Sequence, residues 1–215
     1  MDRYLSARGT GLRGEETPLL EVGSEPYFYY GKGAVAMYTL REHIGAEAVN
    51  TALRRYLEKF RDAGPPYPTS LDLYAELRAV TPPSQHYLLH DLFEEITLWD
   101  VRANDARVEP VGNGSYRVTL AIEARKLRSD SIGNETEVPM DDLVEIGVFG
   151  PSSRGDDMGE PIYLERHRIR DGKQTITVTV PRQPARAGVD PYGKLIQRNA
   201  TDNRVDLNTA QGSVP

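Results

Sequence analysis

The spacing of apolar residues changes once along the chain, near residue 96. From Tyr30 to Glu95 they recur every three or four positions, the period of helices with one buried face. Ala34 to Ile44 reads as a helix opened by the turn Gly31-Lys32-Gly33. Val49, Ala52, Leu53, Tyr56, Leu57 and Phe60 form the stripe of a second helix, bounded by Gly45 and Gly64-Pro65-Pro66. Thr69 followed by Asp72 resembles a cap, and Leu73, Tyr74 and Leu77 give a third helix its apolar side. Pro82-Pro83 ends it, and Ser84 is placed to cap a further helix through Leu88, Leu89, Leu92 and Phe93. Three or four short antiparallel helices are expected.

Beyond Ile96 the period is two. Tyr116, Val118, Leu120, Ile122 and Ala124 alternate with Arg117, Thr119, Ala121 and Glu123. Ile176, Val178 and Val180 alternate with threonines, and both runs read as half-buried strands. Gly112-Asn113-Gly114 and Asp171-Gly172 can turn the chain, because glycine accepts positive φ without steric cost. Strands are expected near 96–102, 106–111, 116–126, 144–149, 162–169 and 174–180. The fold class that follows is α+β: a helical part over 1–95, an antiparallel β-sandwich over 96–182 and an irregular C-terminal tail over 183–215. No internal repeat is visible.

Composition narrows the function classes. The 215 residues include 39% hydrophobic and 27% charged positions, the balance of a globular chain. With no cysteine, disulfides, thiolate zinc sites and cysteine nucleophiles are excluded. The 26 basic and 32 acidic residues leave a formal charge of −6, which argues against a dedicated nucleic-acid partner. No apolar run approaches the roughly 20 residues that span a bilayer, and MDRYLSARGTGLRG lacks the apolar stretch of a secretory signal. A soluble chain is expected, cytoplasmic if expressed alone and membrane-associated if part of a larger transporter-linked protein.

Several motifs read as structure rather than chemistry. Gly9-Thr-Gly11-Leu-Arg-Gly14 matches a phosphate-cradle spacing, but two glutamates and a proline follow where a helix should open, so a flexible loop is expected. His86 and His90 are four apart on a helix, as zinc requires, yet Tyr87 stands where the water-activating glutamate of a zincin would be. Glu109 lies in a strand-like run, and the pair reads as surface or inter-helix histidines with no metal ligands assigned. The sequons at Asn113, Asn134 and Asn199 carry no meaning without a secretory route. Asp141-Asp142 and Asp156-Asp157 read as solvated loop charge.

Tyr27-Phe28-Tyr29-Tyr30 ahead of Gly31-Lys32-Gly33 is less ordinary. A phenol held at a helix start is a good neutral donor for a developing oxyanion where water is excluded. Core packing is the favoured reading of the four aromatics by themselves, since they supply no nucleophile, base or metal.

The segment Pro26 to Tyr38 resembles the tyrosine-x-lysine-glycine segment of gluzincin zinc aminopeptidases of the aminopeptidase N type. The nearest likeness is to a bacterial subgroup associated with ABC transporter permeases. Ile44-Gly45, Val49-Asn50, Ala52-Leu53-Arg54, the stretch from Pro65 to Leu73 and that from Asp91 to Ala103 follow in the order seen there. So do Glu135 to Pro139, Val144 to Phe149 and Ala187 to Tyr192. By this resemblance Tyr30 is the catalytic tyrosine, which hydrogen-bonds the oxyanion of the tetrahedral intermediate. Lys32 and Gly33 place it, and Tyr27 and Tyr29 are substrate-binding candidates. The H-E-x-x-H zinc motif is absent from all 215 residues. The resemblance therefore implies the trailing portion of a metallopeptidase, inactive alone and binding no cofactor itself, with zinc belonging to the intact family. The implied partners are an upstream zinc-bearing catalytic portion or a membrane transporter, with peptide as substrate of the intact protein only. A tyrosine face left uncovered would favour self-association. The alternative expectation is a non-catalytic β-sandwich module that docks a transporter or partner subunit.

Overall fold

The computed structural model describes residues 4–5, 15–22, 28–152 and 158–207, with Phe28 and Tyr29 described in their backbone only. It divides into two compact units, one of residues 1–98 with 128–136, the other of residues 99–127 with 137–215. The α+β class read from the change of period is what is observed.

The first unit is helical. After a 3-10 turn at Leu19–Glu21, a π-helical turn at Phe28–Lys32 runs into α1 (Gly33–Ile44). Gly45, at φ 92°, ends α1 by donating its N–H to Arg41 O and opens α2 (Ala46–Phe60). That positive φ is why glycine stands there. α3 (Ser70–Val80) begins with Thr69 and Asp72 closing a reciprocal capping box. The next helix is broken into three pieces: a 3-10 turn at Pro83–Gln85, α4 (His86–Leu89) and a π-helical turn at His90–Glu94. Ser84 lies inside the 3-10 turn and does not cap a longer helix.

The core of this unit is Ala36, Leu40, Val49, Ala52, Leu77, Leu88, Leu89 and Leu92. On α2 the buried face is narrower than the stripe that the spacing marks out. Leu57 is 63% exposed, and Tyr56 and Phe60 pack ring against ring at 5.1 Å while half-buried. No helix among the described residues is long and apolar enough to cross a membrane.

The second unit carries two four-stranded antiparallel sheets. β1 (Thr97–Gly112), β2 (Ser115–Ser129) and β3 (Glu135–Val138) lie in order, and β6 (Gly172–Val180) pairs with β2 from Tyr116 to Ala124. In the other sheet the order is β5 (Pro161–Arg170), β4 (Asp141–Phe149), β7 (Arg186–Val189), β8 (Arg204–Asp206). The β1–β2 turn uses positive φ at Gly112, Asn113 and Gly114, as the Gly-Asn-Gly signal requires.

Among the described residues eight strands stand where about six were expected. The breaks differ for local reasons. Residues 103–105 contain neither glycine nor proline, and β1 continues through them. The tail expected to be irregular contains β7 and β8. Their order comes from pairing with β4 and with each other rather than from alternation, which Arg186-Ala-Gly-Val189 does not show. Between them Asp190 organises the chain. Its carboxylate accepts the N–H groups of Lys194 (2.8 Å) and Leu195 (3.0 Å), and its carbonyl accepts Asn203 Nδ2 (2.9 Å). Burial pushes the Asp190 carboxyl up to about 6, against the pull of those two N–H groups, and the neighbouring Glu145 adds to the rise.

Val118, Leu120, Ile122 and Ala124 bury one face of β2; Val144, Ile146 and Val148 bury one face of β4. Two charged residues continue these faces. Asp142 Oδ1 accepts Lys126 Nζ at 2.7 Å, and Asp142 Oδ2 accepts Trp99 Nε1 at 2.7 Å. All three are buried, and the ammonium lies 5.9 Å from the centre of the indole ring. Asp142 is therefore not solvated loop charge: it is the acceptor that joins β1 and β2 of one sheet to β4 of the other. Asp156-Asp157 and the Gly9 to Gly14 motif lie outside the described residues.

Candidate functional site

The first unit holds the residues singled out for chemistry. Tyr30 sits in the π-helical turn that leads into α1, and its side chain is 66% exposed. π-helical turns in proteins concentrate at functional positions because they displace side chains from the ordinary helical register. Tyr29 shares the turn through its backbone; Tyr27 lies outside the described residues.

The same turn faces inward two residues later. Lys32 is only 1% exposed, and its Nζ lies 3.1 Å from Glu16 Oε1. Tyr4 donates its hydroxyl hydrogen to that same carboxylate oxygen at 2.5 Å, and the ammonium stands 5.8 Å from the Tyr4 ring centre. Gly31 allows the approach, since a Cβ there would stand 3.2 Å from Tyr4 Cβ. Removing one member of a buried ion pair strands its partner's charge, which costs roughly 3–5 kcal/mol. The backbone around Lys32 is held accordingly, while Tyr30 projects outward.

Beside the turn, α1 and α3 form the walls of an apolar pocket of about 390 Å³. Gly33, Ala34 and Met37 come from α1, Ser70, Leu73, Tyr74 and Leu77 from α3, and Leu19, Leu20 and Phe93 complete it. Ser70 donates its hydroxyl hydrogen to Leu20 O (2.6 Å), so its polarity is satisfied within the wall. Tyr74 donates to the Glu94 carboxylate. Burial, and then that carboxylate, push the Tyr74 phenol up to about 12, so it stays protonated. The bond from Tyr74, and next that from His90, hold the Glu94 carboxyl below its ordinary range. A pocket of this size and lining suits a neutral hydrocarbon group.

The two histidines serve different partners. His86 Nε2 meets Thr81 O at 3.0 Å. His90 lies between two carboxylates, with Nδ1 3.2 Å from Glu94 Oε2 and Nε2 3.4 Å from Glu95 Oε1. Arg128 then links Glu95 (3.4 Å) to Asp91 (2.6 Å). Among the described residues no group of three or more His, Asp or Glu is arranged to hold a metal ion.

The Glu16–Lys32 pair was not visible in the sequence, because Glu16 belongs to no periodic segment. Lys126 and Asp142 did leave a signal: each keeps the alternating phase of the buried residues beside it. The sequence matches no model of a known protein family and no curated protein.

Proposed function

We propose that this chain is the trailing portion of a zinc aminopeptidase-like metallopeptidase, in which Tyr30 donates a hydrogen bond to the oxyanion of the tetrahedral intermediate. The metal, its ligands and the general base belong to a preceding portion of the parent protein. The observation that supports this reading is the display of the Tyr30 phenol on an open face, at the head of α1, by a turn whose other side is anchored in the interior. A neutral phenol near the positive end of a helix is suited to a developing negative charge. The ordered series of motifs from Pro26 to Tyr192 supports it independently.

Alone, the chain is expected to hydrolyse no aminoacyl anilide. Joined to the zinc-bearing portion, Tyr30→Phe lowers kcat about 10²–10³-fold, the effect of deleting one oxyanion donor. Unchanged turnover removes the catalytic assignment and leaves the docking module as the reading to pursue.

A further inference from the structure

We propose that the outer edge of β6 docks a second copy of this chain, the two β6 strands pairing antiparallel about Thr177. Among the described residues β6 pairs with β2 and with no other strand, so a row of its backbone N–H and C=O groups faces away from the sheet. The side chains at this edge are also incompletely covered. Residues directly opposite each other on antiparallel strands share a face. Val118 and Leu120 are 0% and 2% exposed, yet their partners Val178 and Ile176 are only half-buried. The apolar face of β2 continues onto β6 and stops one strand short of full burial.

Natural sheets blunt their edges with charge, proline or short strands, and the other terminal strands here do so. β3 and β8 have four and three residues. β1 is covered at its start, where Trp99 and Ala103 donate their N–H groups to Ile196 O and Asp202 O, and carries Asp105, Arg107, Glu109 and Pro110 beyond that. β5 carries Glu165 opposite Ile146, on the face that Ile146 buries, with Arg166 and Arg168 following. From Gln174 to Val180, β6 has neither charge nor proline, and every residue after Gln174 is β-branched. This strip is its own complement. A two-fold axis through Thr177 lays residues 174–180 on themselves: Thr177 meets Thr177 of the second copy, Ile176 meets Val178, and Thr175 meets Thr179. Inner-face residues then meet inner-face residues, threonines meet threonines, and Lys173 meets Pro181 rather than another charge. Such a contact uses the same patch on both copies and closes at two, because the far side of each sheet is the charged edge of β1.

The test uses the full chain and is independent of the reading of Tyr30. Sedimentation equilibrium across roughly 10 μM to 1 mM, the range of a small interface, is expected to show monomer passing to dimer. Thr177→Lys and Thr177→Glu each set like charges face to face and should weaken the dimer about tenfold or more. Thr177 is exposed, so circular dichroism should be unchanged in both. An equimolar mixture of the two variants sets lysine opposite glutamate and should restore association. Hydrogen exchange on the unmodified chain reads the same contact without a substitution: amides within 174–180 should exchange more slowly at high concentration, and those of β5 should not change. A parent that stays monomeric overturns the proposal and leaves the edge to an extended segment of another protein. A dimer that survives both substitutions, association that continues past two copies, or a mixture that stays monomeric also overturns it. If neither variant folds, hydrogen exchange decides alone: slowing within 174–180 supports the contact, and its absence refutes it.

Discussion

Each unit buries one lysine against one carboxylate, and the two pairs do different work. Lys126 and Asp142 lie between two sheets, and Asp142 divides its oxygens between an ammonium and an indole N–H. Lys32 and Glu16 lie beneath a surface turn, where Lys32 and Tyr4 converge on one oxygen. The first pair joins elements that are already regular. The second ties a π-helical turn at the surface to the interior. The same chemistry joins two sheets in one place and anchors a surface turn in the other.

The contrast is open to measurement. The largest effect is expected from Asp142→Ala, which strands a buried ammonium and an indole N–H together. It should lower the unfolding free energy by about 3–5 kcal/mol in chemical denaturation. Glu16→Ala should cost toward the lower end of the same range, about 3 kcal/mol, because its pair lies under a surface turn and not between two sheets. Equal losses would mean that the two pairs play the same part.

Asp190 gives the next effect and a different sign. Its folded pKa, about 6, lies above the ordinary aspartate value, so between roughly pH 4 and pH 6 the folded state holds more protons than the unfolded one. Its contribution therefore favours the fold below that window and is lost as pH rises through it. The difference is on the order of 2–3 kcal/mol. Asn keeps the left-handed backbone (φ 41° at Asp190) and does not titrate. Subtracting the stability profile of Asp190→Asn from that of the parent should isolate a fall across this window; a flat difference would refute it. The smallest effect is a calibration. Thr69→Ala opens an exposed capping box at α3 and should cost about 1 kcal/mol, well below either buried pair.

What was legible in the sequence followed from repetition. The helices α1 to α3 and the long strands announce themselves by period, and that period reached further than the reading took it. Val144, Ile146 and Val148 share a phase with Asp142; Ile122 and Ala124 share one with Lys126. Followed one step outward, the two alternations place opposite charges on buried faces. Repetition also misled, for Leu57 fits the stripe of α2 and yet faces solvent. The Tyr30 turn was legible as unusual but not as exposed, since four aromatics in a row suit a core as well as a surface. Glu16 was illegible: it belongs to no periodic segment, so nothing in the spacing marks it as the partner of Lys32.

The order of strands in the second sheet has a consequence for its edges. β4 is paired on one side by β5, which follows it directly, and on the other by β7, which must wait for residues 186–189. Until β7 pairs, that edge of β4 presents a bare row of amides and carbonyls to its surroundings. Such a row is a template for pairing with another chain. A molecule in which β7 has come away from β4 is therefore the form of this sheet most open to edge pairing with another chain.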